Sequence, residues 1–453
     1  MQKVLVANRG EIALRVFRSC RDLGLSTVAV HSEADSGSLH AQSADQAYLI
    51  GPAPARDSYL KVDAVLDAAA RSGADAIHPG YGFLSENADF AERVIGAGLT
   101  WIGPAPDVIR SMGDKQRARE IAEEAGVPIV PGSRRFLPEV LDGLAEAAEA
   151  VGYPLLVKAA AGGGGIGMRR VDTPDKLIET VMATQSMAAK AFGDGSVFLE
   201  RFVPKARHVE IQVFGFGDGT AVHLFERDCS LQRRFQKVIE ESPAPGLPAS
   251  VRHEMAEAAL RLVRAVSYGG AGTVEFIVDA ETFAFYFLEM NTRIQVEHPV
   301  TEMVTGRDLV AMQLNFARGA LTALDQDAVT CQGHVIECRL YAENPAKMFM
   351  PSPGTLEAFA GPSDLEHVRI DSGYRGGDVV TPFYDPMLAK VLAWGADRTE
   401  ARQRLMDTLK AFQIEGVRTN RDFLIACLGD SEFAKGDVHT SFIENRRTQL
   451  VAA

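Results

Sequence analysis

The stretch Glu289-Met290-Asn291-Thr292-Arg293-Ile294-Gln295-Val296-Glu297-His298 decides how the chain reads. Every second residue is polar: Glu289, Asn291, Arg293, Gln295 and Glu297. In an extended strand, residues two apart share a face and lie roughly 6.5 Å from one another. The pattern predicts an edge carrying acid, amide, base, amide and acid in a row. The apolar run before it, Phe283-Ala284-Phe285-Tyr286-Phe287-Leu288, predicts a buried strand that leads into this edge. Such an edge either presents chemistry to a ligand or is a solvated strand end of mixed charge.

The segment just upstream sharpens the choice. Thr273-Val274-Glu275-Phe276-Ile277-Val278 reads as a strand with one carboxylate among apolar residues. A turn centred near Thr282 would pair it antiparallel with 284–289 and set Glu275 opposite Glu289, with Cβ atoms about 5 Å apart. Two such carboxylates repel, and a divalent cation relieves them. With Asn291 as a third oxygen donor, the set suits Mg²⁺ or Mn²⁺ bridging nucleotide phosphates. The alternative is a single carboxylate turned to solvent.

Further upstream, the strand Pro154-Leu155-Leu156-Val157-Lys158 runs into Ala159-Ala160-Ala161-Gly162-Gly163-Gly164-Gly165-Ile166-Gly167-Met168-Arg169. Consecutive glycines cost backbone entropy and help no core. They allow bare amides to approach phosphate oxygens, with Lys158 as the adjacent cation, or they serve as a flexible linker. No Gly-Lys-Ser/Thr closes the loop, so it is not a Walker motif. His208–Phe214 alternates with period two and turns at Gly217-Asp218-Gly219, a hairpin signal. Glu226–Lys237 gathers four basic residues after an apolar run, which fits a cleft wall or a solvated face. Residues 252–266 read as a helix broken by Gly269-Gly270-Ala271-Gly272, and 301–318 as one helix. Gly333–Tyr341 reads as a strand with Glu337 and Arg339 on one face.

The N-terminal hundred residues alternate strand and helix, starting with a strand over 3–8, a helix after Gly10 and a strand over 26–31. This predicts an open parallel sheet. Its first turn lacks Gly-x-Gly-x-x-Gly, which argues against NAD. The loop His78–Asn87 follows a strand end, where ligands bind, or is a plain turn. Met112-Gly113-Asp114-Lys115 opens a helix to Ala125, and 127–132 is an extended linker.

The 453 residues call for two to four structural units. Apolar and charged fractions of 46% and 24% are those of a globular protein. No apolar run reaches the length of a membrane span, and no signal peptide precedes the first strand, so no membrane and a cytoplasmic site are expected. The five scattered cysteines fit reduced thiols. A net charge of −13 argues against a general nucleic-acid binder, though not against a small anion held in a basic cleft.

These motifs together resemble the biotin carboxylase component of biotin-dependent carboxylases, an ATP-grasp enzyme. The resemblance rests on Ala7–Ala13, His78–Asn87, Met112–Lys115, Gly162–Met168, Glu226–Lys237 and Glu289–Glu302, nearly end to end. It implies an α/β fold: an N-terminal parallel-sheet domain (1–112), a linker helix (113–132), a small glycine-loop lid (133–203) and an ATP-grasp core with a C-terminal α+β domain (204–453). It implies that ATP phosphorylates bicarbonate to carboxyphosphate, which breaks down to CO₂ and phosphate. Phosphate then takes the N1′ proton of biotin, and N1′ is carboxylated.

The resemblance also assigns roles. Lys115, Lys158, Gly164, Gly165, Glu200, Val203 and His208 would hold ATP, with Glu275 and Glu289. Glu275, Glu289 and Asn291 would hold two Mg²⁺ or Mn²⁺ ions. Lys237, Arg293, Gln295 and the Val296 amide would bind bicarbonate. Glu297 would deprotonate it, and Arg339 would steady the charge on the biotin ureido oxygen. Biotin would arrive as a substrate on a carrier protein. Carrier and carboxyltransferase are expected as separate chains, because the sequence has no Ala-Met-Lys-Met site. Ala346-Lys347-Met348 is only a partial look-alike. A homodimer is expected. An acyl-CoA acceptor is expected, or urea or guanidine, since Ile166 and Tyr341–Pro345 are similar to the urea carboxylase branch.

Two positions depart from the family pattern. Phe235 stands where His is common, and Ile166 where a basic residue is common. Both fall on the ATP side, and altered ATP affinity or lid behaviour is expected. They also motivate the reading of a silent nucleotide-binding subunit. A carboxylate–amine ligase would keep the ATP-grasp chemistry with another acceptor.

Overall fold

The computed structural model describes residues 1–160, 167–234, 236–363 and 365–452. Its N-terminal part starts with β1 (Lys3–Val6), the helix Gly10–Asp22, β2 (Ser26–His31), β3 (Gln46–Leu49), β4 (Ala76–His78) and β5 (Thr100–Trp101). These strands form a parallel sheet of order β3-β2-β1-β4-β5, as their βαβ pattern predicts. Val4, Leu5 and Val6 are fully buried, because helices cover both faces of the sheet. Ile12, Val16, Phe17 and Cys20 place one face of the helix Gly10–Asp22 in that core. The helix Lys115–Glu124 follows, with the Asp114 side chain accepting from the Gln116 and Arg117 amides as its N-cap.

A small antiparallel sheet comes next: β6 (Leu155–Ala159), β7 (Met168–Val171) and β8 (Val197–Arg201), in the order β7-β6-β8. Leu155, Val157, Leu199 and the helix Leu177–Phe192 give it a core of its own.

The body is an eight-stranded antiparallel sheet. Its strands are β9 (Ala206–Phe216), β10 (Ala221–Arg233), β11 (Gln236–Ser242), β12 (Gly269–Asp279), β13 (Phe285–Asn291), β14 (His334–Tyr341), β15 (Val368–Ser372) and β16 (Met387–Gly395). The order is β13-β12-β9-β10-β11-β14-β16-β15. Period-two alternation gives its strands two different faces. Val209, Ile211 and Val213 of β9 pack with Val274, Phe276 and Val278 of β12 against the helix Ala249–Ala265. The intervening residues, His208, Glu210, Gln212, Thr273 and Glu275, are polar and also buried. Half of each strand therefore builds a core, and the other half builds a polar interior.

The N-terminal domain is joined to this body by ion pairs that are buried or half-buried. Arg15 lies 2.7 Å from both Glu302 and Asp308, and Lys390 of β16 lies 3.1 Å from Glu11. Apolar residues from Val4 and Phe17 to Phe214, Ile294 and Leu309 complete the joint.

Several expectations are corrected. The strand of the opening stretch stops at Asn291, so Arg293, Gln295 and Glu297 lie on a loop and not on one edge. A bulge sets Phe287, not Leu288, opposite Phe276 and leaves Leu288 38% exposed. The run 283–288 is therefore not uniformly buried. Gly269–Gly272 do not merely break the preceding helix; they open β12. A Cβ on Gly272 would fall 2.7 Å from the Tyr268 ring, which folds back over the start of β12 with its hydroxyl donating to the Ala271 carbonyl, so only a small residue fits there. Residues 301–318 are two helices, His298–Thr305 and Leu309–Ala317. Gly306 ends the first in a left-handed conformation, and Asp308 caps the second.

Phe276 is fully buried and meets Phe285 edge-on at 5.5 Å. Phe276→Ala should cost about 3–5 kcal/mol, read as a lower urea midpoint. A loss below about 1 kcal/mol would place the core elsewhere.

Candidate active site

Glu275 and Glu289 are directly opposed in the β12–β13 register, as the turn-counting argument expects. Glu275 is buried, and its charge is shared widely. His208 Nε2 lies 2.8 Å from one oxygen. Lys237 Nζ, Asn291 Nδ2 and Gln295 Nε2 donate to the other at 2.8, 2.8 and 2.7 Å. Burial pushes the Glu275 carboxyl up, but Lys237 and His208 outweigh it and hold the group well below its ordinary range. Among the described residues, no hydrogen bond reaches the Glu289 carboxylate. Its side chain is exposed at the strand edge, yet desolvation by the surrounding protein and the charge of Glu275 push its carboxyl up, while Lys115, His208 and Lys237 draw it down.

Lys237, on β11, is the centre of the site. Its ammonium donates to Glu210 at 2.6 Å, Glu275 at 2.8 Å and Glu297 at 2.6 Å. Burial alone would lower its pKa, but the three carboxylates raise it well above the ordinary value. The other oxygen of Glu297 accepts from Arg339 Nη2 at 2.9 Å. Burial therefore fails to raise Glu297; Lys237, Arg339 and Arg227 hold its carboxyl far below the usual range. Arg339 Nε in turn donates to Glu240 at 2.6 Å.

The loop 292–297 is fastened from several sides. Arg293 donates to Glu86 at 2.8 Å and to the Asn291 side-chain oxygen at 2.8 Å. The Thr292 amide donates to the same Glu86 at 3.2 Å. Gln295 accepts from Arg227 at 3.3 Å. The carbonyl of Val296 accepts from the buried Lys390 ammonium at 2.9 Å.

The predicted residues thus fall into two groups. His208, Lys237, Glu275, Glu289, Asn291, Arg293, Gln295, Val296, Glu297 and Arg339 come together on the central sheet and its loop. Lys158 and Glu200 instead pair with each other at 2.7 Å on the small sheet, with Arg119 3.6 Å from Glu200. Val203 lies between β8 and β9, half-buried, where the small sheet joins the large one. Lys115 opens its helix on the surface. Gly164, Gly165, Ile166 and Phe235 lie outside the described residues.

Sequence reasoning missed Glu210, Arg227, Glu86 and Glu240. Arg227 is fully buried and donates to Glu210, Gln212 and Thr301 at 2.6, 2.7 and 2.8 Å. Glu210 and Gln212 were visible as the polar half of an alternating strand. Their partners depend on strand pairings that sequence spacing does not reveal.

The chain is 50% identical over 444 residues to biotin carboxylase 1 of Bacillus subtilis, covering 98% of each chain. The chain belongs to the biotin carboxylase family. The family model "Biotin carboxylase, N-terminal domain" matches residues 1–109, and "Biotin carboxylase C-terminal domain" matches 337–445. "Carbamoyl-phosphate synthase L chain, ATP binding domain" matches 114–325, the ATP-grasp unit. The alpha subunit of mitochondrial methylcrotonoyl-CoA carboxylase of Oryza sativa subsp. japonica is 50% identical over the whole chain, which spans 61% of that relative. Among solved structures, the biotin carboxylase domain dimer of Hydrogenobacter thermophilus 2-oxoglutarate carboxylase, in complex with MgADP, ADP and bicarbonate, aligns with a TM-score of 0.91. It is 42% identical and covers 99% of this chain and 98% of its own. The family fold, an ATP-grasp α/β architecture, is therefore the fold of this chain.

Glu275 and Glu297 are held below their ordinary value of 4.5, so they contribute stability above about that pH and lose it as pH falls. Glu240 works in the opposite direction. Burial raises it to about 7, so its contribution is complete below 4.5 and declines as pH rises through 7. The urea midpoint should therefore drop on acidification from pH 5 to about pH 3. Lys237→Met, which removes the cation holding both carboxylates down, should be less stable at pH 7 and show a shallower acid drop. Equal slopes would dissociate Lys237 from these shifts.

Proposed function

We propose that the chain carboxylates biotin, borne on a separate carrier protein, using ATP and bicarbonate through carboxyphosphate. The observation that carries this reading is the Glu297 carboxylate held between Lys237 and Arg339. One end of that chain reaches Glu275 and Asn291, and the other reaches the strand of Arg339.

Glu275, Glu289 and Asn291 fit divalent cations. They are oxygen-bearing side chains on adjacent strands, and the repulsion between the opposed Glu275 and Glu289 is what a divalent cation would relieve. Two Mg²⁺ or Mn²⁺ ions held there would neutralise the nucleotide phosphates. Lys115, Lys158, Glu200, Val203, His208 and the Gly164-Gly165 amides are assigned to ATP. Lys237, Arg293, Gln295 and the Val296 amide are assigned to bicarbonate. Glu297 is ionised at neutral pH, as a base must be before it accepts a proton. It becomes a stronger base once bicarbonate takes over Lys237. Arg339 supplies a fixed positive charge for the biotin ureido oxygen. Residues 133–203, which hold the small sheet, are assigned as a lid that keeps water from carboxyphosphate.

The acceptor at the end of the pathway is proposed to be an acyl-CoA, in line with the 50% identity to the methylcrotonoyl-CoA carboxylase alpha subunit. The partners would be a biotin carrier and a carboxyltransferase, and the subunit would form a homodimer, as its structural neighbour does. Free thiols, four of them buried, accord with a reducing cytoplasm.

Purified protein with ATP, Mg²⁺, bicarbonate and free biotin should release ADP in a bicarbonate-dependent way, faster with biotin. Lys237→Ala and Glu297→Ala should each lower turnover by about 100-fold or more while ATP affinity changes little. No turnover beside an active control carboxylase would overturn the proposal. A large loss of ATP affinity in either variant would remove that residue from its assigned role.

A further inference from the structure

Arg339 is held by two acids, and the proposed chemistry uses only one of them. Its Nε and Nη2 both lie 2.6 Å from Glu240 Oε1, while Nη2 also reaches Glu297. Glu240 is fully buried on β11. Directly opposite it in the β11–β14 register stands Glu337, also fully buried. Neither oxygen of Glu337, nor the second oxygen of Glu240, has a hydrogen-bond partner among the described residues.

Two carboxylates opposed at a cross-strand distance inside a protein cannot both ionise cheaply. The charged groups facing them are Arg339 and Lys390 from β14 and β16, Lys237 from β11, and Glu297 from the loop. Only Glu240 makes hydrogen bonds to a cation, so Glu337 is the natural holder of the proton. This matters for the ureido oxygen. An arginine neutralised by several full anions would lose much of its pull on a developing oxyanion. An arginine with no fixed partner would lose its position once Glu297 turns to bicarbonate.

We propose that Glu337 carries the proton of this opposed pair, and that the charge left on Glu240 positions Arg339 for the biotin ureido oxygen. This rests on the function proposed above. Glu240 is a positioning residue: it acts on biotin only through Arg339. The direction of the local titrations agrees, since burial and the charge of Glu240 raise Glu337 well above its ordinary value, while Arg339 draws Glu240 back down against burial.

The test separates two activities of the same protein: bicarbonate-dependent ATP hydrolysis without biotin, and carboxylation of free biotin. Glu240→Gln should lower biotin carboxylation by about 10- to 100-fold, with the biotin-independent hydrolysis and ATP affinity within about threefold of wild type. Glu337→Gln, which mimics the neutral acid, should carboxylate biotin within about threefold of wild type. Glu240→Asp keeps the charge but withdraws it by one methylene. It should show a smaller loss, again on the biotin side alone, and serves if Glu240→Gln does not fold. Equal loss of both activities in a folded Glu240 variant, or no loss of carboxylation, would overturn the inference. So would a Glu337→Gln variant as impaired as Glu240→Gln. A wild-type chain that carboxylates no biotin would instead overturn the proposed function, and this inference with it.

Discussion

The contact on which the site depends is the Lys237 ammonium among Glu210, Glu275 and Glu297. These acids come from β9, β12 and a loop, so one side chain joins three separate pieces of chain. Charges taken out of water are costly, and a buried pair repays the cost only when its hydrogen bonds are well made. Here all three distances are short. Removing the cation would strand carboxylates in a closed interior, at a cost of about 3–5 kcal/mol for a broken buried pair. The arrangement is therefore better understood as a device of position than of stability. It keeps Glu297 ionised and aimed, and it keeps a positive charge where an anion is to be bound.

The sheet makes that device possible by having two different faces. On β9 and β12 the apolar alternate residues press on the helix Ala249–Ala265, and the polar alternate residues form the cluster. A one-residue slip would exchange the faces and put Glu210 and Glu275 in the core. The packing of Val209, Ile211, Val274 and Phe276 thus fixes the register that the chemistry needs. The bulge on β13 extends the same logic. It turns Phe287 inward while Glu289 still faces Glu275. Beyond Asn291 the chain leaves the sheet, and side chains take over its support. Glu86, Glu275, Arg227 and Lys390 fasten the loop at Thr292, Gln295 and Val296. Two of the motifs singled out in the sequence find a place here. Glu86 belongs to the loop His78–Asn87, and Glu11, which meets Lys390, belongs to the segment Ala7–Ala13.

What could be read from the sequence was local. The opposition of Glu275 and Glu289 is countable from a turn near Thr282, yet the pairs next to the turn, Val278 with Phe285 and Ile277 with Tyr286, would alone set Leu288 opposite Glu275, and the bulge restores the pair. The parallel N-terminal sheet followed from its alternating strands and helices. The alternation of residues 289–297 was real, yet it continued past the end of the strand. The convergence it predicted is achieved by hydrogen bonds to the loop and not by a pleat. Glu240 and Arg227 were hidden, since their roles depend on partners 99 and 74 residues away. The split at Gly306 was missed because Asp308 can be read equally as a helix-interior residue or a cap, and only packing decides between them.

The central claim is that bicarbonate, held against Lys237 and Glu297, attacks the terminal phosphoryl group of ATP. Oxygen transfer tests this most directly. The protein would be supplied with ATP, Mg²⁺, biotin and bicarbonate labelled with ¹⁸O, and the released phosphate analysed by mass spectrometry before the label washes into water. The account predicts one labelled oxygen in each phosphate formed with carboxybiotin, because the P–O bond is made to a bicarbonate oxygen. Phosphate free of label, formed together with carboxybiotin, would contradict it.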